Sequence, residues 1–108
     1  MASDSMTGPV EGAREVTIRA VDLDFEPASL EVVAGEPVNV TVVNDGELLH
    51  DFTLEAADVH LNVEPGETKT TSLTITEPGR HEAKCTVAGH AESGMTVDIM
   101  VMAVGAGR

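Results

Sequence analysis

Val38-Asn39-Val40-Thr41-Val42-Val43, followed by Asn44-Asp45-Gly46, is the stretch on which the reading of the fold turns. Val38, Val40 and Val42 stand two apart with Asn39 and Thr41 between them, a period that puts the valines on one face of a strand and the polar side chains on the other. β-Branched residues suit that pleated, half-buried surface, and Asn-Asp-Gly is turn chemistry that ends it. Working outward, the same period runs through Val16, Ile18 and Ala20 against Thr17 and Arg19. Further short strands are expected over 30–33, 49–54, 59–63, 68–75, 81–85 and 95–101. They are separated by Ala34-Gly35-Glu36-Pro37, Glu64-Pro65-Gly66-Glu67 and Glu77-Pro78-Gly79. Seven or eight strands at this spacing predict an all-β protein, an antiparallel Greek-key β-sandwich. Residues 51–60 leave room for one turn of helix.

The chain has 108 residues, one domain's worth, and a domain of that size buries roughly two-thirds of the surface its unfolded chain exposes. Residues 1–13 are small, polar or turn-forming and read as a mobile N-terminal arm, 14–104 as the domain, and 105–108 as a C-terminal tail. Phe25 and Phe52 are the only aromatics, with no Trp or Tyr, so Val, Ile, Leu and Met must fill the core. Nineteen acidic against six basic residues give a formal charge of −13. That excludes a nucleic-acid partner, which needs clustered Lys and Arg, and disfavours anionic membrane surfaces. No apolar run approaches the roughly 20 residues of a spanning helix. The acidic excess reads as a solvated surface, since Asp22-Leu23-Asp24 lacks the tight oxygen cluster of a calcium loop.

Chemistry concentrates in Cys85-Thr86-Val87-Ala88-Gly89-His90-Ala91-Glu92-Ser93-Gly94-Met95 together with His50. One Cys excludes an internal disulfide. A thiolate, two imidazoles and a thioether make a soft donor set that suits copper, and one Cys with two His and a weak, distant Met is the arrangement of a mononuclear blue-copper site. Alternation points the same way. Ala83 and His81 share a face with Cys85, and His50 shares one with Phe52 and Leu54, so two donors point inward from different strands while a loop returns two more. Each has a plainer use as well, because a lone Cys packs as a small buried hydrophobe and Met fills cores. His60 alternates with Val59 and Leu61 and reads as a solvated surface residue. His81 lies about 13 Å along the strand from Cys85, beyond ligand reach, and reads as a hydrogen-bonded core or rim residue.

At these residues, and over about 15–104, the chain resembles the cupredoxins, the small blue-copper electron carriers. Phe25-Glu26-Pro27, the run from Leu30 to Pro37, Leu49-His50-Asp51-Phe52, Pro65-Gly66-Glu67-Thr68, Pro78-Gly79-Arg80-His81 and the ligand loop carry the resemblance. The loop spacing is most similar to the auracyanin and rusticyanin branches. The resemblance implies one copper ion per chain, with His50, Cys85 and His90 as equatorial ligands and Met95 as the axial one. It implies Asp51 and Thr86 in support: family members often carry Asn after the first His, bonded to a hydroxyl after the Cys, whereas here Asp51 replaces the amide and Thr86 keeps the hydroxyl. His81 and Ala83 stand where aromatics often occur.

The function so implied is single-electron shuttling through Cu(II)/Cu(I) between redox partner proteins, not enzymatic turnover, and the charge of −13 points to partners with basic docking surfaces. The implied location is extracytoplasmic, in the periplasm or on the outer face of the cell membrane, with any export signal or anchor outside this chain. Two alternatives stand beside it. One is an accessory cupredoxin domain of a larger copper enzyme of the nitrite reductase or multicopper oxidase type, and the other a copper-delivery protein. A dinuclear copper centre would need a second bridging Cys.

Overall fold

The computed structural model describes residues 9–104. Nine strands run through this region: β1 (Arg14–Val21), β2 (Asp24–Glu26), β3 (Ser29–Val33), β4 (Val38–Asn44), β5 (His50–Leu54), β6 (Val59–Val63), β7 (Thr68–Leu73), β8 (Gly79–Lys84) and β9 (Thr96–Met102). They form two sheets, of order β2-β1-β4-β7 and β3-β9-β8-β5-β6. The all-β sandwich expected from the period of two is the observed class. The helical turn expected within 51–60 is a single 3₁₀ turn, Glu55–Ala57. The start of the expected N-terminal arm, 1–8, and the tail 105–108 lie outside the described residues. Among the described residues no helix is long and apolar enough to cross a membrane.

Pairing differs from the purely antiparallel expectation in two places. β1 runs parallel to β4, with Val16 beside Val40 and Ile18 beside Val42, and β3 runs parallel to β9, with Val32 beside Val101. The chain leaves the first sheet for β3 and re-enters it at β4, so β4 returns alongside β1 in the same direction. A period of two records which face is buried and says nothing of strand direction. The short β2, folded back on β1 through Ala20–Phe25 pairing, is the strand the sequence reading lacks.

The core fills as the alternation requires. Ile18, Ala20, Val40 and Val42 of one sheet face Phe52, Leu54, Leu61, Ala83, Val97 and Ile99 of the other, all fully buried. The two aromatics meet across the sandwich: the Phe25 and Phe52 rings stand edge to face with centroids 6.0 Å apart, a geometry worth about 0.5–1.5 kcal/mol beyond area burial. Among the described residues the buried polar groups are few and bonded. Asn39 exchanges two 2.8 Å hydrogen bonds with the backbone of Val10, fastening the chain just ahead of β1.

Candidate metal centre

His50 opens β5, and the loop that delivers it is organised by a buried amide. Asn44, at the end of β4, donates through Nδ2 to the carbonyls of Leu48 and Val63 at 2.9 and 2.8 Å, and its Oδ1 accepts from the Gly46 N–H at 2.9 Å. Cys85 follows directly on β8, and its N–H donates to the Met95 carbonyl at 3.2 Å, closing the base of the loop between them. Within that loop the His90 carbonyl accepts from the Ser93 and Met95 N–H groups, both at 3.1 Å, around the 3₁₀ turn Ala91–Ser93. Gly94 leaves this turn at φ +102°, a left-handed conformation that costs a side-chain-bearing residue strain.

These elements bring three donors together. Nitrogen atoms of His50 and His90 and the Cys85 sulfur all lie within 4.8 Å of one another. Cys85 Sγ is 3.4 Å from His90 Nδ1 and 4.0 Å from His50 Nδ1, and the two rings are 5.0 Å apart and tilted by 55°. A trigonal plane with metal–sulfur and metal–nitrogen bonds of about 2.3 and 2.0 Å would set sulfur and nitrogen about 3.7 Å apart, between the two observed values. Donor softness and spacing therefore both fit one copper ion. His50, Cys85 and Met95 are fully buried, and His90 is 7% exposed, so His90 is the member of the group that reaches the surface.

Asp51 lies beneath the thiol. Its Oδ1 accepts from the Thr86 N–H at 2.7 Å and lies 3.4 Å from Cys85 Sγ, while Oδ2 accepts from Thr86 Oγ1 at 2.9 Å and Thr53 Oγ1 at 2.5 Å. Asp51 and Thr86 thus tie the two donor-bearing strands together. Burial pushes the Cys85 thiol above its ordinary range, and the charge of Asp51 adds to the shift against the backbone N–H bonds of Asp51 and Val87. His60, read from alternation as solvated, is half-buried instead: its Nδ1 is 2.7 Å from Thr53 Oγ1 and 3.6 Å from Asp51 Oδ2. The β5–β6 register sets His60 opposite Thr53, and sequence parity gives the face but not that neighbour. His81 is a rim residue, its Nε2 2.9 Å from the Glu77 carbonyl.

One residue at the site escaped the sequence reading. Asp22, at the β1–β2 turn, places Oδ1 3.1 Å from His50 Nε2, and its carboxylate also accepts from the N–H groups of Glu47 at 3.1 Å and Leu48 at 3.3 Å. The Glu47 N–H bond, with those of His50 and Leu48, holds this carboxyl below the usual carboxylate range. The next residue, Leu23, sits at φ +72°, an uncommon conformation for a branched side chain. Asp22 is far from His50 in sequence, so no local spacing announces the pair.

Comparison with known proteins places this geometry in context. The family model described as a cupredoxin-like domain matches residues 2–97. The copper-resistant cuproprotein CopI of Pseudomonas aeruginosa is 24% identical, with 84% of this chain and 77% of that protein covered. Among solved structures, auracyanin B superposes with a TM-score of 0.77 at 20% identity, covering 92% of this chain and 96% of its own. The copper-containing nitrite reductase of Thermus scotoductus gives 0.71 at 25% identity over 84% of this chain, which spans 28% of that enzyme. With a family match over most of its length, and with one thiol and two imidazoles gathered at one end of the sandwich, the chain belongs to the cupredoxin-like domain family.

Proposed function

We propose that this chain is a mononuclear type 1 copper protein that carries single electrons between redox partners, with His50, Cys85 and His90 as equatorial ligands of one copper ion and Met95 as the axial ligand. The observation that carries the reading is the approach of Cys85 Sγ to both imidazole Nδ1 atoms, all three residues being buried. Copper supplies the one-electron couple. The protein supplies the frame: the Cys85 N–H bond to Met95, the His90 carbonyl bonds and the Asp51–Thr86 pair would hold the donors in place around either charge state of the ion. His90, with its slightly exposed ring among Val87, Ala88, Gly89 and Ala91, is the contact for electron exchange. No substrate is transformed. The partners are basic proteins, matched to a chain of charge −13, and the site of action is extracytoplasmic, as the family resemblance implies.

The similarity to CopI favours a second reading, copper handling, because that relative is named for copper resistance. Buried donors favour the carrier, since a delivery protein needs exchangeable ligands. The test is copper titration of the wild-type protein and of Cys85→Ser. Wild type should take up one copper per chain and show an intense visible band from thiolate-to-Cu(II) charge transfer, which the variant should lose while keeping its β-rich circular dichroism. A variant with the same visible band would remove Cys85 from the ligand set, and rapid loss of copper from wild type to a chelator would favour delivery.

A further inference from the structure

The geometry points to Asp22 as a positioning residue for the metal centre: its carboxylate takes the Nε2–H of His50, so that the ring presents the bare Nδ1 to copper and the site favours the oxidised ion. The inference rests on the copper reading proposed above. His50 has no exposed surface, and its two nitrogens face different surroundings. Nδ1 looks toward Cys85 Sγ at 4.0 Å, and Nε2 lies 3.1 Å from Asp22 Oδ1. A carboxylate can only accept, so the proton of a neutral ring belongs on Nε2 and the lone pair on Nδ1. The opposite tautomer would set a lone pair against the carboxylate and leave a proton where a metal bond must form.

The carboxylate is itself held. The N–H groups of Glu47 and Leu48 fix it from the loop that leads into β5, and a Cβ on Gly46 would collide with its Oδ1. Asp22 therefore fills a seat that requires glycine at 46 and joins the β1–β2 turn of one sheet to the first residue of β5 in the other. Its side chain is 40% exposed, so its charge reaches His50 from the water-facing side of the buried ring. A carboxylate behind a ligating imidazole orients the ring and makes the ligand more basic. More basic ligands and an added negative charge stabilise Cu(II) over Cu(I), which lowers the reduction potential.

Three variants test this. Asp22→Ala removes the acceptor, Asp22→Asn keeps an acceptor oxygen without the charge, and Gly46→Ala displaces the carboxylate without changing it. In the metal-free wild-type protein, two-bond proton–nitrogen correlation of the His50 ring should report the Nε2–H tautomer with slow proton exchange. Asp22→Ala and Gly46→Ala should give mixed tautomers and faster exchange. On copper loading, Asp22→Ala should lose about 10- to 100-fold in Cu(II) affinity and less in Cu(I) affinity, each tenfold of that difference raising the potential by about 59 mV. Asp22→Asn should keep the tautomer and still raise the potential. An Nδ1–H ring in the wild type would overturn the proposal, as would an Asp22→Ala protein with unchanged tautomer and potential. Should Asp22→Ala fail to fold, the wild-type tautomer and the potential of Asp22→Asn decide. A wild-type protein that took up no copper would overturn the copper reading, and the ring measurements would still decide whether Asp22 sets the tautomer.

Discussion

Cys85 has no exposed surface, and its sulfur meets the Asp51 carboxylate at 3.4 Å. Both features favour the neutral thiol, so the folded metal-free protein holds this proton more tightly than the unfolded chain does. The sign of the linkage follows. Stability from the raised thiol is fully present below the unfolded value of about 8.5 and is lost as pH rises through the higher folded value. The metal-free wild type should therefore lose stability relative to Cys85→Ser as pH climbs above about 8.5, while the difference between them stays constant at neutral pH. Urea denaturation midpoints of both proteins across an alkaline series check it, and parallel profiles would contradict the assignment. The copper-loaded protein should lack this alkaline loss, because metal binding has already displaced the proton.

At the scale of elements, the candidate centre is a meeting of a strand start, a strand end and a loop, and the loop depends on a left-handed glycine. Gly94 holds φ +102° at the close of the 3₁₀ turn, one residue before Met95, and a Cβ there would meet no atom within 4 Å. Gly94→Ala should thus cost about 1–2 kcal/mol from backbone conformation alone, with no packing contribution. It should also broaden or shift the visible band of the loaded protein by moving Met95 and the carbonyl of His90. Denaturant unfolding and one optical spectrum measure both effects, and an unchanged stability would mean that the loop relaxes to another conformation. Much of this was legible from the chain. The inward parity of His50 with Phe52 and of Cys85 with Ala83 follows from a period of two, and the Pro-Gly turns fix where strands stop. Strand direction was not legible, because parallel β1–β4 and β3–β9 pairs carry the same alternation as antiparallel ones. Nor were the cross-sheet partners: Asp22 reaches His50 only because β1 ends beside the β4–β5 loop, and His60 reaches Thr53 only through the β5–β6 register.

For the whole molecule the governing quantity is charge. Nineteen acidic groups face six basic ones, and the ion pairs of Arg19 with Glu26 and Asp45, and of Arg80 with Asp98, lie on exposed surface, where such pairs contribute little to stability. Repulsion among the remaining carboxylates is left largely uncompensated and opposes the compact state. Under the proposed function the same field would draw basic redox partners toward the protein and speed encounter. Around His90 the nearest side chains in sequence are small or uncharged, apart from Glu92, so under the proposed function contact at His90 would be made over a nearly neutral patch. A brief, small interface of that kind suits electron exchange. Salt acts on both consequences with opposite signs. The Debye length shrinks from about 10 Å at 0.1 M to about 3 Å at 1 M, which relieves internal repulsion and shortens the reach of the steering field. Across that range the melting temperature of the protein should rise, while its second-order electron-transfer rate with a basic redox protein should fall. Calorimetry and stopped-flow absorbance on one salt series measure the two together. A rate that stays flat while the melting temperature climbs would separate them: the charge would then act on the fold alone, and encounter would be governed by the neutral patch around His90.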